Sequence, residues 1–389
     1  MHDGWVKSTL GEVCEIVGGG TPSTKEAAYW GGDITWLSPT EVVRQDGRRI
    51  SASERTITEE GLARSSAKLL PPGTVLLTTR ASVGFVAIAD CTLATNQGFQ
   101  SLICGPELIP AFLMHWVQAN RDEFRRRAGG STFPEVSKAK VKAIPITYPP
   151  LAVQRRILDL MEHLDNQVNL LRAEAHAVRV ARHAAQSKLV GFGASQSMCS
   201  LGDLIDRGEA ETFRGKVISK KTMAANPGSY PVYSSAQGNN GAIGQYGDYM
   251  FDEELITWSV DGGGHLFYRP RHRFSVTNIG GVLRILATDK WDYRFLFYSL
   301  DWQHGLETFD WQSKAHPSVI RNLYSRIPLL PLSEQRRIAD LLWSFDETAA
   351  QMSAEETSLS RFRQGALSNL LNGQKVIPEA YDELLGVAS

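Results

Sequence analysis

One string of residues occurs twice. Pro150-Leu151-Ala152-Val153-Gln154-Arg155-Arg156-Ile157 returns as Pro331-Leu332-Ser333-Glu334-Gln335-Arg336-Arg337-Ile338. The offset is 335 − 154 = 181, and it holds downstream. Asp159 matches Asp340, Asp165 matches Asp346, and Ser187 and Leu189 match Ser368 and Leu370. Upstream, Phe112-Leu113 matches Phe295-Leu296, Pro134 matches Pro317, and Ile144-Pro145 matches Ile327-Pro328, all at 183. Thr95-Asn96 matches Thr277-Asn278 at 182. Farther upstream, Leu10-Gly11-Glu12-Val13 resembles Leu201-Gly202-Asp203-Leu204, and little between aligns. Two copies of about 190 residues are too few and too large for a solenoid. They describe a fused pseudo-dimer: a variable head and a similar tail, twice.

The similar tails read as long helices. Apolar positions Ile157, Leu160, Leu164, Val168, Leu171, Ala175 and Val178 recur at steps of three and four, which is a helical seam. The second copy places Ile338, Leu341, Phe345, Ala349, Met352, Glu356 and Leu359 in the same register, with Glu356 the one polar residue. Each run follows a proline, with Ser333 a candidate N-cap in the second, and each stops near a glycine: Gly191/Gly193 and Asn372-Gly373. A helix of about 40 residues is roughly 60 Å long, more than a globular core requires. Two such helices either pack on their own heads or pair antiparallel as a spacer, and pseudo-twofold symmetry favours the pair.

The heads read as mixed α+β. Strand-like runs are Ile34–Leu37, Thr74–Thr79 and Phe85–Ile88 in the first, and Leu255–Ser259 and Val282–Ile285 in the second. Helices are expected over Ala111 to about Arg127 and Tyr293 to Gln303. Glycine-rich polar loops punctuate both heads: Val17–Lys25, Tyr233–Gly241 and Val260–His265. None has the spacing of a P-loop or of GxGxxG. Asn96, Asn278, Pro134 and Pro317 recur in both heads, which suits turns better than reading different sequences.

The 389 residues suggest two or three domains at about 150 residues each. Lys plus Arg is 41 against 42 Asp plus Glu, a net charge of −1. That excludes polyanion binding by bulk charge and leaves local basic faces open. Arg80, Arg125, Arg126, Arg127, Lys138, Lys140 and Lys142 cluster in the first head, and Arg214, Lys216, Lys220, Lys221, Arg269, Arg271 and Arg273 in the second. Such cations contact phosphates, while polar loop residues read base edges. Cys14, Cys91, Cys104 and Cys199 are scattered without a CxxC pair and read as reduced thiols. There is no HExxH, no His/Cys ligand cluster and no methyltransferase catalytic loop: Tyr148-Pro149-Pro150-Leu151 lacks the Asn or Asp that such a loop needs. Glu253, Glu254 and Asp261 form no nuclease carboxylate–lysine grouping. No catalytic or metal-binding residue is expected. No leader-like or membrane-length apolar run occurs, so a cytoplasmic protein is expected.

Several strings together resemble the specificity subunit of type I restriction–modification enzymes. They are Trp5 with Leu10-Gly11-Glu12; the Gly18–Ser23 loop followed by Tyr29-Trp30-Gly31-Gly32-Asp33-Ile34-Thr35-Trp36; and Thr95-Asn96-Gln97-Gly98. The second half has Tyr230-Pro231-Val232-Tyr233-Ser234-Ser235, Ile256-Thr257-Trp258-Ser259 and Ser275-Val276-Thr277-Asn278, and both halves carry Pro-Leu-x-x-Gln-Arg-Arg-Ile. The resemblance implies an α+β fold. Two mixed α/β target recognition domains, 1–150 and 194–331, would be related by pseudo-twofold symmetry. Two long antiparallel coiled-coil helices, 151–193 and 332–389 with the tail, would join them. It implies a noncatalytic subunit whose heads each read one half of a bipartite, asymmetric site on double-stranded DNA. The helices would fix the gap and dock two modification (methyltransferase) subunits. S-adenosylmethionine would sit on those subunits, ATP and Mg on restriction subunits, and no cofactor on this chain. Candidate DNA contacts are Gly20, Thr21, Ser23, Arg80 and Lys138 in the first head, and Lys216, Ser234, Ser235, Gln237 and Asn239 in the second. A stand-alone DNA-binding regulator is the alternative.

Overall fold

The computed structural model describes residues 4–129, 134–191, 197–236, 238–261, 263–306, 315–378 and 380–381. The chain divides into two compact units, 1–169 with 357–389, and 170–356. Two 40-residue α-helices, Leu151–Val190 and Leu332–Leu371, each contribute one portion to either unit.

Unit one holds a five-stranded sheet in the order Cys14–Gly18, Gln100–Cys104, Val75–Leu77, Val86–Ala89, Arg49–Ile50. Alternate residues face opposite sides. Val75, Leu77, Val86 and Ile88 meet Phe112, Leu113 and Val117 of the helix Pro110–Ala119. Leu76, Ala87 and Ala89 join Val17, Leu37, Ile50 and Phe99 on the other face. A smaller sheet, Arg55–Ile57, Trp30–Leu37 and Ala94–Thr95, carries Trp36. Cys14 and Cys104 are register partners across adjacent strands, and both thiols are free.

Unit two repeats this sheet: Ala210–Arg214, Gly280–Ile285, Phe251–Ser259, Leu266–Val276, Tyr230–Tyr233, Ala242–Tyr246. The correspondence is residue by residue. Val75 pairs with Leu102, and Ile256 with Leu283, each shifted by the same 181. Cys104 opposite Cys14 corresponds to Ile285 opposite Ala210. The short helices Leu10–Val13 and Leu201–Asp206 open alike. Thr9 N–H donates to Glu12 at 2.9 Å, and Ser200 N–H to Asp203 at 2.7 Å. Hydrogen bonds from Ser8 and then Thr9 hold the Glu12 carboxyl below its usual range, and those from Ser200 do the same for Asp203. The heads share a framework although most of their residues between these matched strings differ.

The repeated glutamine explains the repeated string. Gln154 is buried at the start of the first long helix. It accepts from Ile109 N–H at 2.9 Å and donates to Glu107 and Pro149 carbonyls, both at 2.8 Å. Gln335 accepts from Asp292 N–H at 2.9 Å and donates to the Lys290 and Leu330 carbonyls at 2.8 and 2.9 Å. Each side chain ties a helix start to its head through three backbone groups.

Within each unit the long helices also meet each other. In unit one, Ile157 and Met161 share a core with Leu367, Leu370 and Leu371, and Asp165 pairs with Arg363 at 2.5 Å. In unit two, Arg172 pairs with Glu356 at 2.7 Å and Arg182 with Asp346 at 3.1 Å. Residues rising along one helix meet residues falling along the other, so the pairing is antiparallel. The Arg172 pair also accounts for the polar residue in the seam. Arg182 further reaches Asp301 at 3.2 Å, and the Tyr298 hydroxyl donates to Asp346 at 2.7 Å. Burial, then that carboxylate, pushes the Tyr298 hydroxyl well above its ordinary pKa.

Of the expected seam, Ile157, Val168, Ile338 and Ala349 are buried, and Leu160, Leu164, Leu171, Phe345 and Met352 are half-buried. Leu341 is a correction: it is 42% exposed, and Leu342 is buried with Ile338 and Ala339. At this end the helix packs on its head, so a step of four from Ile338 points inward. Met161 replaces Leu160 as the fully buried residue in the first copy for the same reason. Leu342→Ala should therefore cost about 2–5 kcal/mol, and Leu341→Ala under about 0.5 kcal/mol, read by urea unfolding of the chain.

Three other expectations change. Ser333 lies inside the helix, whose first bonds go to the Pro331 carbonyl: Glu334 N–H at 2.9 Å and Gln335 N–H at 3.0 Å. Of the two first-copy stop residues, Gly191 donates to Ser187 O at 3.1 Å, and Gly193 lies outside the described residues. The helix over 111–127 is two, Pro110–Ala119 and Arg121–Arg127. Asn120 divides them by donating its side chain to the Trp116 carbonyl at 2.8 Å.

Candidate nucleic-acid interface

Both units gather polar groups around the shared Thr-Asn turn. In unit one, Asn96 Oδ1 accepts from Gly98 N–H at 2.7 Å and closes the turn. Gly20 N–H donates to Thr95 O at 2.8 Å, and the Trp36 indole donates to Gly20 O at 2.9 Å. A Cβ on Gly20 would lie 2.2 Å from Ala67 N, so only glycine fits. Thr21 donates its hydroxyl to Gln97 Oε1. Arg80 is exposed and loosely paired with Glu135 at 3.8 Å. A cleft of about 300 Å³ is lined by Pro39, Arg80, Ala81, Asn96, Gln97 and Gly98. Ser23 is exposed, and its carbonyl accepts from the Trp30 indole at 3.1 Å.

In unit two, Lys216 N–H donates to Val276 O at 3.0 Å, and the Ser234 hydroxyl bonds Thr277 Oγ1 at 2.7 Å. A Cβ on Gly215 would lie 2.0 Å from Val276 O, as one on Gly19 would lie 2.0 Å from Asn96 O. Strand and turn thus approach equally closely in both units. Lys216 is exposed beside a cleft of about 500 Å³ lined by Phe213, Arg214, Thr222, Tyr246 and Tyr249. Cations next to aromatic faces suit phosphates and bases together.

The candidate residues therefore separate. Thr21 and Arg80 lie at the turn of unit one with Gln97 beside them, and Lys216 lies at the turn of unit two with Arg214 beside it. Gly20 and Ser234 are buried; they support the turns and present no side chain to a ligand. Ser235 is half-buried, Asn239 is exposed with a left-handed φ of 50°, and Gln237 lies outside the described residues. Lys138 is exposed on the short helix Lys138–Lys142.

Much of the expected basic charge is neutralised. Arg125 pairs with Asp122, Arg126 and Arg127 pair with Glu123, and Arg271 and Arg273 pair with Asp252. Arg273 gains further from Tyr230, whose hydroxyl leads the groups that raise its pKa. Among the described residues, Lys138, Lys216, Lys220 and Lys221 make no ion pair, and all four are exposed. Arg269 is another correction: it is buried, not a surface cation. Glu253 bonds Arg284 and Glu254 bonds Tyr268, so these neighbouring carboxylates are engaged separately. Among the described residues, no group of three or more His, Cys, Asp or Glu is placed to hold a metal ion. No helix among them is long and apolar enough to cross a membrane.

The type I restriction modification DNA specificity domain matches the chain twice, over residues 2–178 and 198–360. The chain belongs to that family. The specificity domain thus occurs once in each half of the repeat. A type I restriction enzyme MjaIX specificity subunit of Methanocaldococcus jannaschii is 36% identical over 166 residues, 42% of this chain and 38% of that protein. The chain spans between 38% and 45% of the length of the first curated relatives it matches. Two solved structures share the specificity-domain fold. The type I restriction–modification S subunit from M. genitalium has a TM-score of 0.60 at 16% identity, covering 95% of this chain and 97% of that one. A chain from a structure on complex assembly and conformational transition of the type I R-M system has a TM-score of 0.66 at 18% identity, covering 95% and 98%.

Proposed function

We propose that the chain is the noncatalytic DNA-specificity subunit of a type I restriction–modification complex. Each head binds one half of a bipartite, asymmetric site on double-stranded DNA, and the two long helices set the gap. The carrying observation is one sheet built twice around one Thr-Asn turn, with different side chains gathered at each turn. Equal frames with unequal groups suit two unlike half-sites on a pseudo-symmetric reader. Thr21, Ser23, Arg80 and Lys138 serve the first half-site, and Lys216, Ser235, Gln237 and Asn239 the second, over frames held by Gly20 and Ser234. The recognition domains are residues 1–150 and 194–331; the spacer helices and tail are 151–193 and 332–389.

Partners supply the chemistry. Two modification subunits dock on the helices, bind S-adenosylmethionine and methylate adenine. Restriction subunits with ATP and Mg join that assembly in the cytoplasm. Leu341, Leu170 and Val180 in unit two and Phe362 in unit one, all more than 40% exposed, are candidate contacts for the modification subunits.

Binding measured with and without the modification subunits separates this reading from a stand-alone regulator. The chain's net charge of −1 gives no bulk attraction to DNA, so the isolated chain should bind it weakly. The complex should bind tightly, with a log–log salt slope of about −0.9 per phosphate contacted. Tight, sequence-specific binding by the isolated chain would favour the regulator.

A further inference from the structure

Arg269 stands out in unit two. It lies in the strand Leu266–Val276 and is only 1% exposed. Its guanidinium is 3.6 Å from the Tyr233 ring centroid and 4.6 Å from that of Phe267. Nε donates to Thr257 Oγ1 at 3.0 Å, while both terminal nitrogens are buried without a hydrogen-bond partner. Among the described residues no carboxylate pairs with it. Burial pushes its pKa down to about 10, so it stays charged near neutrality. A buried, unpaired cation is expensive, and such a group calls for a specific reason.

The surroundings point to a ligand. The register that relates the two sheets places Arg269 where unit one has Ala89, inside an apolar cluster. The arginine therefore belongs to what distinguishes the heads, not to their shared frame. Its free edge faces Gly241: a Cβ there would lie 3.0 Å from a terminal nitrogen. Asn239, Asn240 and Gly241 all have left-handed φ, at 50°, 51° and 79°. Two consecutive non-glycine residues in that region hold strain. Gly241 O accepts from Ser234 N–H at 2.9 Å, and Ser234 bonds Thr277, beside Lys216. A strained turn therefore covers the arginine next to the exposed cation of the candidate interface.

We infer that Arg269 is a DNA contact of the second head, held beneath the turn Gly238–Gly241 until DNA displaces that turn. With Nε engaged and the plane fixed between two rings, the terminal nitrogens present a forked donor. That fork matches two acceptors in one plane: O6 and N7 of guanine, or two oxygens of one phosphate. The inference rests on the function proposed above.

The test is Arg269→Met in the complex with its modification subunits, read by thermal unfolding, DNA affinity and the methylated motif. Removing an unpaired buried charge should raise Tm by roughly 2–4 °C. Affinity for the site should fall about 5- to 150-fold. If the partner is guanine, one position of one half-site becomes degenerate. If it is a phosphate, the motif survives, affinity falls for all sequences, and the salt slope loses about one phosphate. Both outcomes support the inference. Unchanged motif and affinity overturn it, whatever Tm does. If Arg269→Met fails to fold, Arg269→Lys decides: it keeps the charge without the fork and should show the same loss, and normal affinity and motif in that variant overturn the inference. A wild-type complex that methylates no split motif would instead sink the functional reading.

Discussion

Exchanging residues 198–328 for the matching head of another family member should change one half of the methylated motif and leave the other half and the gap intact. The expectation follows from how that segment is anchored. Its ends, Met198–Cys199 and Ile327–Pro328, pair with each other as a two-stranded sheet, so the exchange begins and ends on one ladder. The long helices lie outside it. Of its polar groups, Lys216 and Ser234 contact Thr277, which lies inside the exchanged segment. A head-exchanged complex should therefore show complete replacement of one half-site in an adenine methylation map. Simultaneous change in both halves would mean that the heads do not read independently.

Gln335→Leu should destabilise unit two by about 3–5 kcal/mol. Leucine fills the volume but leaves three backbone groups unpaired: Asp292 N–H and the carbonyls of Lys290 and Leu330. Each buried group left unsatisfied costs about 1–3 kcal/mol. Those groups fix the start of the helix Tyr293–His304 and of the second long helix together, so their loss is felt across the core. Gln154→Leu should do the same in unit one through Ile109, Glu107 and Pro149. The neighbouring Arg337 provides the contrast. It is exposed and pairs with Glu334 three residues away, so Arg337→Ala should cost under about 1 kcal/mol. Denaturant unfolding of the three variants ranks them; equal costs would contradict the clamp.

The long helices were legible because seam period and repeated string agree, and period is a strong local signal. The heads were half legible. Runs rich in Val, Ile and Leu, such as Val75–Leu77 and Val282–Ile285, announce themselves. The strand Leu266–Val276 does not, because Arg269-Pro270-Arg271-His272-Arg273 reads as a charged, proline-broken loop. Antiparallel partners and stacked aromatics hold it extended regardless: His272 stacks on Phe274, and Arg273 lies over Tyr249. The same context hid the candidate site. Gly20 and Ser234 look like loop residues and prove to be packed against the turn. Arg269 looks like one more surface cation and is buried. Sequence marks residue type and spacing; which of several similar polar groups points outward is decided by contacts distant along the chain.

The most direct measurement of the central claim is a genome-wide adenine methylation map of a host that carries this chain with its modification subunits and otherwise lacks the activity. The account predicts one motif with two unlike specified halves separated by a fixed run of unspecified bases. Methylation at a single continuous motif, or none while the complex is intact, would contradict it.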